Sequence, residues 1–169
     1  MKIEKWEKQV DEVVDKYRER DAECDIFFKN VIDDFDKDFS ILEIGSGTNY
    51  ILGYLQKKGF TKLIGIEASI NRVLHGVMDY PDIPTYCCYL KDYDFKYHLD
   101  VIYTYSALFL NKKDICKFID KTTCKYFGCF ENFKIVKFNV DKELKKFGYT
   151  KIDDRPVRHR GIKWFKRND

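Results

Sequence analysis

The ten residues from Ile41 to Tyr50, which read Ile-Leu-Glu-Ile-Gly-Ser-Gly-Thr-Asn-Tyr, decide the fold of this chain of 169 residues. An apolar run that contains one acid, Glu43, ends in the pair Gly45 and Gly47, and a helical pattern begins directly afterwards. Glycine lets the backbone turn sharply and leaves no side chain between the turn and a ligand, while the free N–H groups of the following helix point at that ligand. The stretch therefore predicts a strand, a tight turn and a helix that together hold a nucleotide-like molecule.

Strands and helices alternate along the rest of the chain. Two amphipathic helices are expected before the first strand, one built on Trp6, Val10, Val13, Val14 and Tyr17 and one on Phe27, Phe28, Val31, Ile32 and Phe35. The hydrophobic pattern then predicts strands at 40–44, 62–67, 85–89, 101–105, 125–130, 149–153 and 162–166, and helices at 49–58, 69–78, 113–121 and 142–147. The connection at 154–161 reads as a hairpin. This alternation predicts an α/β fold, doubly wound around a mostly parallel seven-stranded sheet, with a terminal antiparallel hairpin.

The composition is that of one soluble globular domain. Hydrophobic residues make up 44% and charged residues 35% of the chain, and a chain of this length builds one core more readily than two. No apolar stretch approaches the roughly 18 residues of a membrane span, and the N-terminus alternates charge, unlike a signal peptide. We therefore expect a cytoplasmic protein without membrane association. The six cysteines contain no C-x-x-C pair and the three histidines are scattered, so no metal site is expected.

Charge is distributed unevenly, although the net charge is only +3. Residues 1–38 carry 8 basic and 13 acidic side chains, whereas residues 142–169 carry 10 basic and 4 acidic ones. Such a basic segment attracts phosphate-bearing partners, but a charge run is also an ordinary solvated face. Both interpretations stay open, and the candidates for a nucleic-acid contact are Arg155, Arg158, His159, Arg160, Lys163 and Trp164.

Glu43-x-Gly45-x-Gly47 resembles the first motif of class I S-adenosylmethionine-dependent methyltransferases. The third glycine of that motif is replaced by Asn49, a residue that tolerates unusual backbone angles better than most. The resemblance implies a Rossmann-like core over residues 39–169, preceded by a helical cap at 1–38, within one domain. It also implies S-adenosylmethionine as the cofactor.

Further candidate residues follow the next strands. Glu67 ends the second strand twenty positions past Gly47, where its carboxylate can accept both hydroxyls of a ribose; the alternative is that it only caps the helix that follows. After the third strand, the resemblance implies that Asp92 accepts from the adenine amino group while Tyr93 lies against the ring, with Asp94 as the competing acid. The predicted cofactor-binding set comprises Glu43, Gly45, Ser46, Gly47, Asn49, Glu67, Ala68, Asp92, Tyr93 and Ser106.

Ser106 begins the segment Ser106-Ala107-Leu108-Phe109, where the family makes contacts with the methyl acceptor. The segment lacks the two prolines of enzymes that methylate DNA amino groups, so methylation of DNA bases is disfavoured. Other candidates on the acceptor side are Tyr17, Arg18, Arg20 and the pair Glu131-Asn132.

The resulting prediction is an S-adenosylmethionine-dependent methyltransferase whose acceptor is undetermined, with a small molecule slightly favoured over nucleic acid or protein. Methyl transfer from a sulfonium needs alignment more than acid or base groups. We therefore predict no catalytic base, since neither His98 nor His159 has a local signature. One alternative is a non-catalytic protein of the same fold that binds the cofactor or regulates a partner. Another is a nicotinamide-dependent oxidoreductase, against which the position of Glu43 inside the turn counts.

Overall fold

The computed structural model describes residues 21–94, 98–107, 112–122, 124–134, 136 and 138–168, and within these ranges strands and helices alternate. The strands are β1 (Ser40–Ile44), β2 (Lys62–Glu67), β3 (Thr85–Cys87), β4 (Val101–Tyr105), β5 (Tyr126–Glu131), β6 (Tyr149–Val157) and β7 (Arg160–Arg167). The helices are α1 (Asp21–Phe28), α2 (Tyr50–Lys57), α3 (Ile70–Asp79), α4 (Lys112–Thr122) and α5 (Val140–Lys145), with single 3₁₀ turns at Ile32–Asp34 and Leu90–Asp92.

The strands form one seven-stranded sheet in the order β3-β2-β1-β4-β5-β7-β6. The first five are mutually parallel, whereas β7 pairs antiparallel with both β5 and β6. The predicted sheet and its antiparallel end are thereby confirmed. The strand order reverses between β1 and β4, so the carboxyl ends of these two strands flank the crevice where open sheets of this kind bind ligands.

Both faces of the sheet are covered. Phe27 and Phe28 of α1 pack with α2 against Tyr103 and Trp164 on one face, and α4 and α5 cover Leu42, Ile102, Phe127 and Phe165 on the other. Gly128 of β5 makes room for the indole of Trp164, because a Cβ at this position would lie 2.5 Å from the ring. Burial on both faces explains why β1, β4 and β5 read as nearly continuous apolar runs.

The predicted hairpin is present, but its connection is shorter than the predicted 154–161. Strand pairing continues to Val157 and Arg160, so only Arg158 and His159 form the turn, and Arg158 has a left-handed φ of 54°. Pro156 concealed this extension, since proline is rare in central strands. Proline is tolerated on β6 because this is the edge strand, whose outer side has no neighbouring strand to pair with.

Two other elements are shorter than predicted. The third strand ends at Cys87 instead of residue 89, where it lies at the edge of the sheet and pairs on one side only. The second N-terminal helix ends at Phe28, and the chain bends at Val31 before a separate 3₁₀ turn. The predicted first N-terminal helix lies outside the described residues, as do the acceptor-side candidates Tyr17, Arg18 and Arg20. None of the helices within the described ranges combines the length and apolar character needed to cross a membrane.

Candidate cofactor site at the carboxyl edge of the sheet

The glycine turn after β1 adopts backbone angles that glycine permits. Gly45 and Gly47 have φ values of 74° and 57°, and the N–H groups of Gly45 and Ser46 both donate to the carbonyl of Ile66, at 2.8 and 3.0 Å. A Cβ on Gly45 would lie 2.8 Å from the Cβ of Ala107. The turn therefore lies against both the end of β2 and the loop after β4, where any side chain at position 45 meets a close contact.

Ser46 and Asn49 turn their side chains into the protein. Both pack over Gly65, where a Cβ would lie 2.6 Å from Ser46 Oγ and 2.9 Å from Asn49 Oδ1. Asn49 also donates from Nδ2 to Thr85 Oγ1 at 2.6 Å and has a left-handed φ of 59°. The asparagine that replaces the third glycine thus tolerates the backbone angle and ties the turn to β3. Because both side chains point into the protein, only the backbone of these two residues is available to a ligand at the turn.

Glu67 joins the glycine turn to the start of α3. Its Oε2 accepts from the N–H of Gly47 and its Oε1 from the N–H of Ser69, both at 2.9 Å. The capping contact considered from the sequence is therefore present. Each carboxylate oxygen has two acceptor positions, so this contact leaves one position on each oxygen for a ligand. Glu67 and the following Ala68 are both half-buried.

Glu43 is buried beneath the turn, with only 2% of its surface exposed. Tyr103 of the neighbouring strand donates from its hydroxyl to Glu43 Oε2 at 3.0 Å. Burial raises the pKa of Glu43 well above its usual value, the hydrogen bond from Tyr103 opposes this, and the charge of Glu67 adds to it. The site therefore favours an uncharged Glu43, and a bound cation beside it would favour the ionised form.

Asp92 ends the 3₁₀ turn after β3, and Tyr93 follows it directly. Asp92 and Asp94 are both exposed, so the geometry of the described residues does not separate the two acids. Tyr93 is half-buried, with its ring centroid 5.0 Å from that of Tyr86 and 6.4 Å from that of Phe118. The two tyrosines form an aromatic surface at the edge strand.

Ser106 follows β4 in a left-handed conformation, with φ of 63°. Its N–H donates to the carbonyl of Phe130 at 2.8 Å, and its Oγ accepts from Arg160 Nη1 at 2.8 Å. A non-glycine residue in this region of backbone space is uncommon and is held by its surroundings. Leu108 and Phe109, which complete the predicted segment, lie outside the described residues.

Most of the basic C-terminal segment is engaged within the protein. Arg155 pairs with Asp153 at 2.7 Å and Lys163 with Asp141 at 2.6 Å. Trp164 is fully buried and donates from Nε1 to a backbone carbonyl, so its ring is inaccessible for stacking on a base. Of the candidates for a nucleic-acid contact, those at the carboxyl edge of the sheet are Arg158 and His159 of the hairpin turn and the adjacent Arg160.

Two contacts of the site were not predicted. Sequence reasoning missed Tyr103 as the partner of Glu43, although its place on the neighbouring strand was predicted. It also missed the contact of Arg160 with Ser106, because Arg160 was assigned to the hairpin loop and not to β7. Within the described ranges, no three histidine, cysteine, aspartate or glutamate side chains lie close enough to hold a metal ion.

No protein-family model matches this sequence, and no curated protein matches it either. Solved structures match at low identity. A chain of the complex between the Haloferax volcanii Trm112 methyltransferase activator and the putative methyltransferase superposes with a TM-score of 0.76 at 11% identity, over 99% of this chain and 96% of that one. The TehB-like S-adenosylmethionine-dependent methyltransferase from Corynebacterium glutamicum gives 0.71 at 13%, over 95% and 98%.

Magnesium protoporphyrin IX methyltransferase from Synechocystis, with bound S-adenosylmethionine, gives a TM-score of 0.71 at 14% identity, over 88% of this chain and 80% of that one. These similarities extend over 88% or more of the chain. The protein has the class I, Rossmann-like fold of S-adenosylmethionine-dependent methyltransferases.

Proposed function

We propose that this protein is an S-adenosylmethionine-dependent methyltransferase that acts on a small-molecule acceptor. The observation that carries the proposal is the arrangement of Glu67, whose carboxylate is held by the glycine turn on one side and by the start of α3 on the other. In this fold, the carboxyl edge of the sheet is the place for a nucleotide-like ligand.

The residues present fit this cofactor. Glu67 keeps one acceptor position on each oxygen, which suits the two neighbouring hydroxyls of a ribose. Gly45 and Gly47 add no side chain above the turn, so the methionine portion can approach the backbone closely. Glu43 is the acid next to this position, and a bound ammonium or sulfonium cation would offset the burial of its carboxylate.

Adenine is assigned to the surface beside β3. Tyr93 offers an aromatic face there, and Asp92 or Asp94 offers an acceptor for the exocyclic amine. Asparagine replacement of each acid in turn would separate them, because only the acid that accepts from adenine should weaken cofactor binding.

Bound S-adenosylmethionine would supply an activated methyl carbon on a positively charged sulfur. The protein's own contribution is then to bind the cofactor, align the acceptor in line with that carbon and exclude water. No residue of the site is assigned as a base, since the reaction class does not require one.

The alternative of a non-catalytic cofactor-binding or partner-regulating protein has the same fold and the same pocket. Two sequence features support it: the missing third glycine and an acceptor segment without a characteristic motif. Turnover of radiolabelled S-adenosylmethionine with any fraction of small cellular metabolites would exclude it. A nicotinamide-dependent oxidoreductase is less well supported, because an acid inside the turn does not suit a dinucleotide fingerprint.

Calorimetric titration with S-adenosylhomocysteine tests the cofactor assignment. We expect saturable binding that is weakened by about tenfold or more in Glu67→Gln and unchanged in Asp38→Asn, a control that neutralises an exposed acid away from the carboxyl edge. Absence of binding at millimolar ligand would overturn the proposal, as would tighter binding of NADH measured by fluorescence.

A further inference from the structure

Arg160 lies at the carboxyl edge of the sheet, next to the loop that follows β4. Because β7 runs antiparallel to β5, its first residues lie beside the end of β5, with Gly161 opposite Glu131. Arg160 Nη1 donates to Ser106 Oγ at 2.8 Å, and the residue after Ser106 contacts the glycine turn. One guanidinium therefore stands on the acceptor side of the proposed cofactor pocket.

The contacts of Arg160 are with neutral groups. Besides Ser106, its guanidinium lies 5.3 Å from the centroid of the Phe130 ring. Its neighbours Arg155 and Lys163 have carboxylates within 2.7 Å, but no carboxylate among the described residues lies within the 4.0 Å ion-pair distance of Arg160. A guanidinium offers five N–H donors, so this half-buried cation keeps donors and charge available to a ligand.

We propose that Arg160 binds the anionic group of the methyl acceptor, a carboxylate or a phosphate monoester on a small molecule. This inference rests on the proposed function, since it names the acceptor class of that same site. The planar guanidinium matches either anion through paired hydrogen bonds. The half-buried ring of Tyr105, whose centroid lies 4.5 Å from that of the buried Phe130, is beside it and offers an apolar surface for the body of the acceptor.

The charges around Arg160 favour a small anion over a nucleic-acid backbone. Tyr105 donates to Glu23 Oε2 at 2.9 Å, which brings the acidic helix α1 to the same rim. Helix α1 carries three acidic side chains, Asp21, Glu23 and Asp25, and no basic one. A polyanion that extended along this rim would be repelled, whereas a single anionic group can stay close to the guanidinium.

Nuclear magnetic resonance of the ¹⁵N-arginine-labelled protein tests the proposal directly. The Arg160 Nε–H resonance would be followed during titration with benzoate, phenyl phosphate and benzamide, with and without saturating S-adenosylhomocysteine. We expect benzoate or phenyl phosphate to shift the resonance saturably, and benzamide, which has the same ring without the charge, to leave it in place.

Variants separate the ligand contact from a general charge effect. Because the variants at position 160 lack the followed resonance, their affinities are measured by calorimetry: Arg160→Gln should weaken benzoate or phenyl phosphate binding by about tenfold or more, and Arg160→Lys should restore part of it. Arg158→Gln removes an equal charge two residues away, from an exposed side chain, and should change the affinity less than about twofold. Unchanged melting temperatures for all three variants would show that the loss is not one of folding.

The proposal is overturned if benzamide shifts the resonance as benzoate does, if Arg158→Gln and Arg160→Gln weaken binding equally, or if a single-stranded RNA dodecamer binds Arg160 more tightly than either small anion. The titration without S-adenosylhomocysteine tests the anion site of Arg160 separately from cofactor binding. Failure of S-adenosylhomocysteine to bind would refute the cofactor assignment, while an anion-dependent shift of Arg160 would still support an anion site.

Discussion

Replacing Glu43 with glutamine is expected to stabilise the folded protein at neutral pH and to leave its stability unchanged at acidic pH. Burial raises the pKa of the Glu43 carboxyl, and the charge of Glu67 raises it further, while the hydrogen bond from Tyr103 opposes the shift. The folded protein therefore keeps the Glu43 proton to a higher pH than the unfolded chain does. Tyr103 stays a neutral donor throughout, because burial also raises its pKa well above its usual range.

The sign and size of the effect follow from this difference. Below the ordinary carboxyl pKa of 4.5, both states of the protein hold the proton and Glu43 adds no pH dependence. Between that pH and the raised pKa of the folded state, stability falls by up to about 1.4 kcal/mol per pH unit. Glutamine cannot ionise, yet its amide oxygen can accept from Tyr103, so the variant lacks this slope. Its advantage should grow with pH and level off above the raised pKa.

Urea unfolding at intervals between pH 4 and pH 8.5 measures the effect. Asp94→Asn, which neutralises an exposed acid, serves as the control and should follow the wild type closely. Parallel stability curves for Glu43→Gln and the wild type would refute the reasoning, because they would mean that burial does not hold the proton on Glu43. If S-adenosylmethionine brings a cation to this acid, its affinity should also rise with pH in the wild type and not in the variant.

Three further predictions concern the site and the core. Glu67→Gln keeps one acceptor oxygen of two, so S-adenosylhomocysteine affinity should fall by about tenfold or more in calorimetry; an unchanged affinity would remove Glu67 from the site. Gly45→Ala meets both a left-handed φ and the 2.8 Å contact, whereas Gly59→Ala meets only the φ; thermal melting should therefore show the larger loss for Gly45→Ala. Leu52→Ala, at a fully buried position, should lose about 2–5 kcal/mol in urea unfolding, while Leu74→Ala, 55% exposed, should stay within about 0.5 kcal/mol. Equal losses within either pair would contradict the packing described for it.

The strands that lie in the middle of the sheet could be predicted almost to the residue. The bounds of β1, β2 and β4 agree with the sequence pattern, because burial on both faces leaves an apolar run with sharp ends. The edge of the sheet was harder to predict. A partly exposed strand such as β3 has a weaker hydrophobic pattern. Pro156 suggested that β6 ends before it, but a proline is compatible with an edge strand, and β6 continues past it.

The candidate site divides in the same way. The glycine turn follows one strand that the sequence pattern predicts, and Glu67 ends the next. The structure connects them through the N–H of Gly47, which donates to Glu67. The contact between Arg160 and Ser106 spans 54 positions and depends on the antiparallel placement of β7, which no local pattern specifies. Similarly, the inward direction of Asn49 depends on the absence of a side chain at Gly65 on the neighbouring strand.

A crystal structure with S-adenosylhomocysteine bound tests the central claim most directly. We predict ribose hydroxyls within hydrogen-bond distance of both oxygens of Glu67, the amino-acid portion over Gly45 and Gly47, and the sulfur directed toward Ser106 and Arg160. A ligand bound away from the glycine turn, or one whose ribose makes no contact with Glu67, would contradict the account.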